Sequence, residues 1–200
     1  MQYIPLQSWP EMEAQFAKLS HRVLVGFAVR GAQRVLPIIA EASADYGPEA
    51  IEWLMAIHAA LEAPARFASG EKISRFTLDL AAEMARGTAN SAVNVVRIMG
   101  HAKSAEDAEL VFAAVAFAAD CARSSPMSRA ANAAMKGLRA ADALGRISQQ
   151  LWELDWQQTQ SGAYETLWPT SEPQWYTEGI QKLIIQNAIC YRLTRSSQPG

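Results

Sequence analysis

The sequence predicts an all-α fold, a single-domain, alanine-rich helical bundle of about seven or eight helices. Three observations predict it. Apolar residues recur at spacings of three and four along nearly the whole chain, and no stretch alternates β-branched and aromatic residues at the period of two that a strand needs. Residues 104 to 154 are dense in alanine, which has the best helix propensity and lets helix backbones approach closely. Turn signals at Pro10, Pro48, Ser69-Gly70, Ser125-Pro126 and Gly162 divide the rest into helix-sized pieces.

Trp9-Pro10 marks an early boundary, and a first helix is expected from about Glu11. The next stretch, HRVLVGFAVRGAQRVLPIIAEAS, is helical in period, with a kink or restart expected at Pro37 and an end near Ala44. Gly26 and Gly31 either weaken this helix or permit close packing. Arg22, Arg30 and Arg34 share one side of it, which reads either as a docking strip for an acidic partner or as the solvated face any surface helix needs; the solvated face is the expectation. After the turn Asp45-Tyr46-Gly47-Pro48, the helix PEAIEWLMAIHAALEA has Ile51, Leu54, Met55, His58 and Leu61 on its apolar side, and Ala63-Pro64 interrupts it. Residues 71 to 86 form another helix with Ile73, Phe76, Leu80 and Met84 expected inward and Arg75, Asp79, Glu83 and Arg86 outward. Gly87-Thr88 is expected to close it and open a further helix that buries Val93, Val96 and Met99.

The alanine-dense stretch reads as a hairpin at the centre of the protein. Ser104 is its expected N-cap, with Asp107 three residues on, and Val111, Phe112, Val115, Ala119 and Ala122 fall on one face opposite Glu106, Glu109, Asp120 and Arg123. The return helix is expected to cap at Ser125, with Pro126 in its first position. It buries Ala131, Ala134, Leu138, Ala141, Leu144, Leu151 and Leu154, and it continues to about Gln158. Lys136, Arg139, Arg146, Gln150 and Glu153 line its other side, where Asp142 can pair with Arg139 or Arg146. A loop through Gly162 leads to a last helix capped by Ser171, with Ile180, Leu183, Ile184 and Tyr191 as its apolar side. The domain is expected to span residues 1–194, leaving 195–200 as a frayed tail.

Composition excludes several classes. With 200 residues, half of them hydrophobic, and a net charge of -2, the chain is long enough for a sizeable core and is not a general polyanion binder, so nucleic acid is not expected as a partner. The opening residues lack the basic leader and apolar core of a secretory signal, and the apolar run from Leu110 to Ala119 is about half of the ~20 residues a membrane helix needs. A soluble, cytoplasmic protein with no membrane partner is expected. Cys121 and Cys190 stand far apart with no Cys-x-x-Cys spacing, and each is expected to pack as a small hydrophobe.

Candidate chemistry is sparse. His58 and Glu62 lie one helical turn apart without a second matching pair, so no metal is expected, and His58, His21 and His101 read as packed or boundary histidines. Asp79 and Glu83 could suggest acid–base work, but their charged neighbours favour solvated surface. No cofactor motif is present, and His58, Glu62, Asp79, Glu83 and Asp120 form no recognisable catalytic constellation. Between Gln149 and Gln181 the chain is acidic and aromatic, with no lysine or arginine. There Trp156, Tyr164 and Tyr176 are candidate partner-binding anchors, and Asp155, Glu165 and Glu178 are candidate steering and pairing carboxylates for a basic partner. Trp168 and Trp175 are expected instead to pin the loop onto the bundle.

The stretch from Arg22 to Ala63 carries Ala32-x-x-Val35-Leu36-Pro37, then Glu41, then Pro48-x-Ala50-Ile51 leading the next helix, followed by further alanine-rich helices. In these features it resembles the immunity proteins of bacterial polymorphic-toxin systems, of the immunity-protein family 5 type, over roughly residues 20 to 123. What the resemblance implies is a binding protein that neutralises a cognate toxin by stoichiometric protein–protein interaction, without catalysis; a basic toxin domain would suit the acidic segment. Two alternatives stay open: a scaffold that self-associates as a homo-oligomer through its alanine-rich helices, and a helical-bundle enzyme whose site is formed by sequence-distant residues.

Overall fold

Half of the buried apolar residues among those the structure describes are alanine, and that sets how closely the helices pack. The computed structural model describes residues 9–46, 49–98, 102–145, 147 and 153. They form six helices and no strand: α1 (Trp9–Phe16), α2 (His21–Tyr46), α3 (Glu49–Ala68), α4 (Arg75–Ile98), α5 (Ala102–Arg123) and α6 (Met127–Ala143). The all-α bundle expected from the periodicity is present. The last helix expected, from Ser171, and the extension of the return helix toward Gln158 fall on residues outside the described ones.

The alanine hairpin is central, as its composition suggested. Helix α5 touches α2, α3, α4 and α6. Val111, Phe112, Val115, Ala119 and Ala122 are all buried on it, and α6 buries Ala131, Ala134, Leu138 and Ala141. Small residues let these helices close up. A Cβ added to Gly137 would sit 3.4 Å from the Ala114 carbonyl oxygen of α5, and one added to Gly31 of α2 would sit 3.0 Å from Leu138 Cδ2. Gly31 therefore serves the packing role rather than merely weakening its helix. Short α1 docks by burying Met12 and Phe16, the latter with its ring 5.7 Å from that of Phe27. Arg139 of α6 turns to α1 rather than to Asp142, reaching Glu13 at 3.6 Å and lying over the Trp9 ring.

Several expected helix ends are overridden. Helix α2 runs through Pro37, α3 through Pro64 and α4 through Gly87. An internal proline removes one backbone hydrogen bond and crowds the preceding turn, at a cost of about 3 kcal/mol. In α3 the flanking Leu61, Ala63, Ala65 and Ala68 are all buried, and their packing outweighs that loss. Helix α5 already begins at Ala102, ahead of Ser104. Pro126, not Ser125, is the N-cap of α6 and supplies no side-chain cap. Helix α6 stops at Ala143 because Gly145 adopts φ +67°, the left-handed conformation that ends helices, with its N–H donated to the Asp142 carbonyl at 2.7 Å.

At the turn between α3 and α4, Arg66 Nη2 lies 2.8 Å from the Glu71 carboxylate. The hydrogen bond from Arg66 holds the Glu71 carboxyl below its ordinary value. The small stabilisation from this exposed pair is therefore present above the unfolded-state pKa and is lost as pH falls through the lowered folded-state value. Glu71 should titrate below an ordinary glutamate in a carbon-detected NMR titration, and Arg66→Gln should bring its midpoint back up.

Candidate functional site

Helix α4 turns the expected face outward. Its buried residues are Leu78, Ala81, Ala82, Ala85 and Ala92, with Ala89 packed against the core. Phe76, Leu80 and Met84, which large-hydrophobe spacing places inward, are instead 76 %, 50 % and 38 % exposed. Close helix approach through alanine explains the inversion: a face of methyl groups fits against α3 and α5, whereas a face of Phe, Leu and Met would hold the helices apart. The same happens on α3. Trp53, Ile57, Ala60 and Leu61 are buried, while Met55 is 67 % exposed and His58 also faces solvent, so neither lies on the apolar side expected for it.

Phe76, Leu80 and Met84 recur every four residues, so they form one stripe along α4. Together they expose roughly 300 Å² of mostly apolar surface, the size at which a contiguous patch on a monomer is often functional. Charged residues border it. Arg75 lies 3.9 Å from Asp79 and Arg86 2.9 Å from Glu83, both pairs at the spacing the sequence indicates. An apolar centre with a charged border of both signs has the anatomy of a protein–protein contact surface.

A polar cluster fixes this side of α4 to α5. Asp120 accepts hydrogen bonds from Arg86 at 2.5 Å and from Arg123 at 2.9 Å, and Arg123 also approaches Glu83 at 3.6 Å and Asp79 at 3.7 Å. The hydrogen bond to Asp120 raises the Arg86 guanidinium above its ordinary value. Asp79 and Glu83 thus each lie within ion-pair distance of two guanidinium groups, Asp79 with Arg75 and Arg123 and Glu83 with Arg86 and Arg123. Asp120→Asn removes the carboxylate shared by Arg86 and Arg123. Because these side chains are only partly buried, it should lower stability by about 1 to 2 kcal/mol, measured by denaturant unfolding.

The remaining candidates are structural. His21 Nε2 donates to the Cys121 carbonyl oxygen at 2.7 Å, and its ring meets Phe67 edge-on, so it is a packed histidine. Burial pushes the Cys121 thiol well above its ordinary value, as for a cysteine packed as a hydrophobe. Arg34 is buried at 9 % exposure, Arg30 is half-buried and Arg22 is exposed. The three arginines of α2 therefore form neither a docking strip nor a uniformly solvated face. Among the described residues no group of three His, Cys, Asp or Glu side chains is placed to hold a metal ion, and no helix is long and apolar enough to cross a membrane. Trp156, Tyr164, Tyr176, Asp155, Glu165 and Glu178 lie outside the described residues, as do Cys190, His101, Trp168 and Trp175.

No protein family, curated protein or solved structure matches this chain. Of the residues that carry the resemblance to immunity proteins, Ala32, Val35 and Leu36 are buried in the core. Their identities serve packing between α2 and its neighbours.

Proposed function

We propose that this chain is an immunity-type binding protein that neutralises a cognate toxin in the cytoplasm by stoichiometric protein–protein contact, and that the outward stripe of α4 is part of its contact surface. The observation that carries the reading is the exposure of Phe76, Leu80 and Met84 on a helix whose core side is packed with alanine. A large aromatic held on a rigid helix loses little conformational freedom on binding and buries a large area, which is how interface anchors act. The stripe is smaller than the ~800 Å² that each partner contributes to a stable complex, so flanking surface takes part as well. The acidic and aromatic positions Asp155, Trp156, Tyr164, Glu165, Tyr176 and Glu178 are the proposed second part of that surface, steering a basic toxin domain toward it.

The test is co-expression with any toxin found encoded beside this chain. Growth should be rescued and a complex of fixed stoichiometry recovered, and Phe76→Ala should weaken that complex by about 2 kcal/mol, roughly thirtyfold, with the melting temperature unchanged. A toxin that stays fully active in the presence of abundant folded protein would refute the reading.

The self-associating scaffold keeps one specific observation in its favour. Phe76 and Met84 sit four residues to either side of Leu80, so two α4 helices crossing antiparallel at Leu80 would each meet the same stripe. Sedimentation across a concentration series separates the two readings: the scaffold requires a stable oligomer of the chain alone, and the toxin-binding reading requires a monomer that becomes a complex only when the toxin is added.

A further inference from the structure

On the far side of the Asp120 cluster the surface opens into a cleft of about 530 Å³ between α4, α5 and α6. Its walls differ in charge state. On the α4–α5 wall, Arg86 and Arg123 are engaged by Asp120, with Glu83 reaching both from the rim and Asp79 reaching Arg123. The α6 wall presents Arg129, Asn132 and Lys136, spaced so that all three share one face of the helix, with small Ala133 beside them. Arg129 and Lys136 are exposed, and among the described residues neither has a carboxylate within ion-pair distance. Lys136 holds its ammonium 5.5 Å from the centre of the Phe117 ring, at the edge of the cleft. Of the four cationic side chains that line the cleft, Arg86 and Arg123 are thus matched by carboxylates, and Arg129 and Lys136 supply its excess positive charge.

We infer that this cleft binds a phosphorylated small molecule carrying at least two anionic groups. Arg129 and Lys136 are seven residues apart, which places their backbones about 10 Å apart along the helix axis, so a single phosphate engages both only by drawing the two side chains together. A chain of two or three phosphates offers separate anionic groups to the two side-chain ends without that convergence. Arg129 offers a bidentate fork at one end, Lys136 a point charge at the other, and Asn132 a neutral amide donor between them. Ser128 adds a hydroxyl beside Arg129, in the first turn of α6 where the helix dipole also favours negative charge. The volume lies in the range of small-molecule sites and leaves room for an organic group beyond the phosphates. The inference is independent of the toxin-binding stripe, which uses other residues of α4.

Calorimetric and NMR titration of the full chain with tripolyphosphate at low salt tests it, with orthophosphate and a tetraglutamate peptide as comparison probes. Saturable binding of one tripolyphosphate per chain is expected, with backbone shifts centred on residues 128 to 136 and both comparison probes about tenfold weaker or more. The double variant Arg129→Glu/Lys136→Glu should lose binding while keeping its melting temperature, since both side chains are exposed. Lys18→Glu, an exposed cation far from α6 in sequence, should bind as the parent does. No binding at millimolar tripolyphosphate, equal loss in the Lys18 variant, or binding that survives the double variant would overturn the inference. Equal or tighter binding of tetraglutamate would also overturn it, because the site would then be one for acidic peptide.

Discussion

Leu138→Asp is expected to abolish cooperative folding or to cost on the order of 4 kcal/mol or more, a large part of the stability of any domain this size. Leu138 is 1 % exposed on α6, and its side chain reaches toward Gly31 of α2. At that burial a carboxylate is cut off from bulk solvent, so the substitution either forces the charged form into a mostly apolar site or forces a proton onto it. Leu138→Ala removes the same packing without introducing charge and should cost about 3 kcal/mol. The exposed Asn132→Asp on the same helix should change stability by less than about 0.5 kcal/mol. Denaturant unfolding followed by circular dichroism gives all three, and a Leu138→Asp protein as stable as the parent would show that α6 buries a different face.

Gly31→Val should also destabilise, on the order of 1 to 3 kcal/mol. The first added carbon alone would stand 3.0 Å from Leu138 Cδ2 and 3.9 Å from Ala141 Cβ, and the two further methyl groups of valine have less room still. Because the obstruction is mainly the end of one leucine side chain, the two sites should couple. In the double variant Gly31→Val/Leu138→Ala, the new methyl groups occupy space that the leucine vacates, and the summed losses of the single variants should overshoot the measured loss by about 1 kcal/mol. Additive losses would mean that α2 and α6 do not meet at these residues.

The helical class and the burial of α5 and α6 are legible in the sequence because alanine there coincides with the branched residues Val111, Val115 and Leu138 in marking the inner face. On α4 the two signals conflict. Large hydrophobes at 76, 80 and 84 suggest one face, while Leu78, Ala82, Ala85, Ala89 and Ala92 trace another at alternating spacings of four and three. The second pattern is the buried one, and its continuation across Gly87 also indicates that the helix does not end there. Weighting residues by size favours the wrong stripe, because in a closely packed bundle the contact goes to whichever face lets the backbones approach. Pro64 misleads for a related reason, since local propensity is outweighed by packing over a long helix.

The candidate site was legible only in part. The pairs Arg75–Asp79 and Glu83–Arg86 follow from spacing, but their junction with Asp120 and Arg123 joins residues more than thirty positions apart, which no local pattern contains. The outward stripe became a candidate only once the alanine face was known to be the buried one.

Isothermal titration of the purified chain and its Leu80→Asp variant with any toxin found encoded beside it tests the central claim most directly. Leu80 is half exposed at the middle of the stripe, so the substitution should leave folding intact while placing a charge in the contact. The account predicts saturable binding at fixed stoichiometry for the parent and a loss of about a hundredfold or more in affinity for Leu80→Asp. A toxin that the parent does not bind, or one bound equally well by the variant, would contradict it.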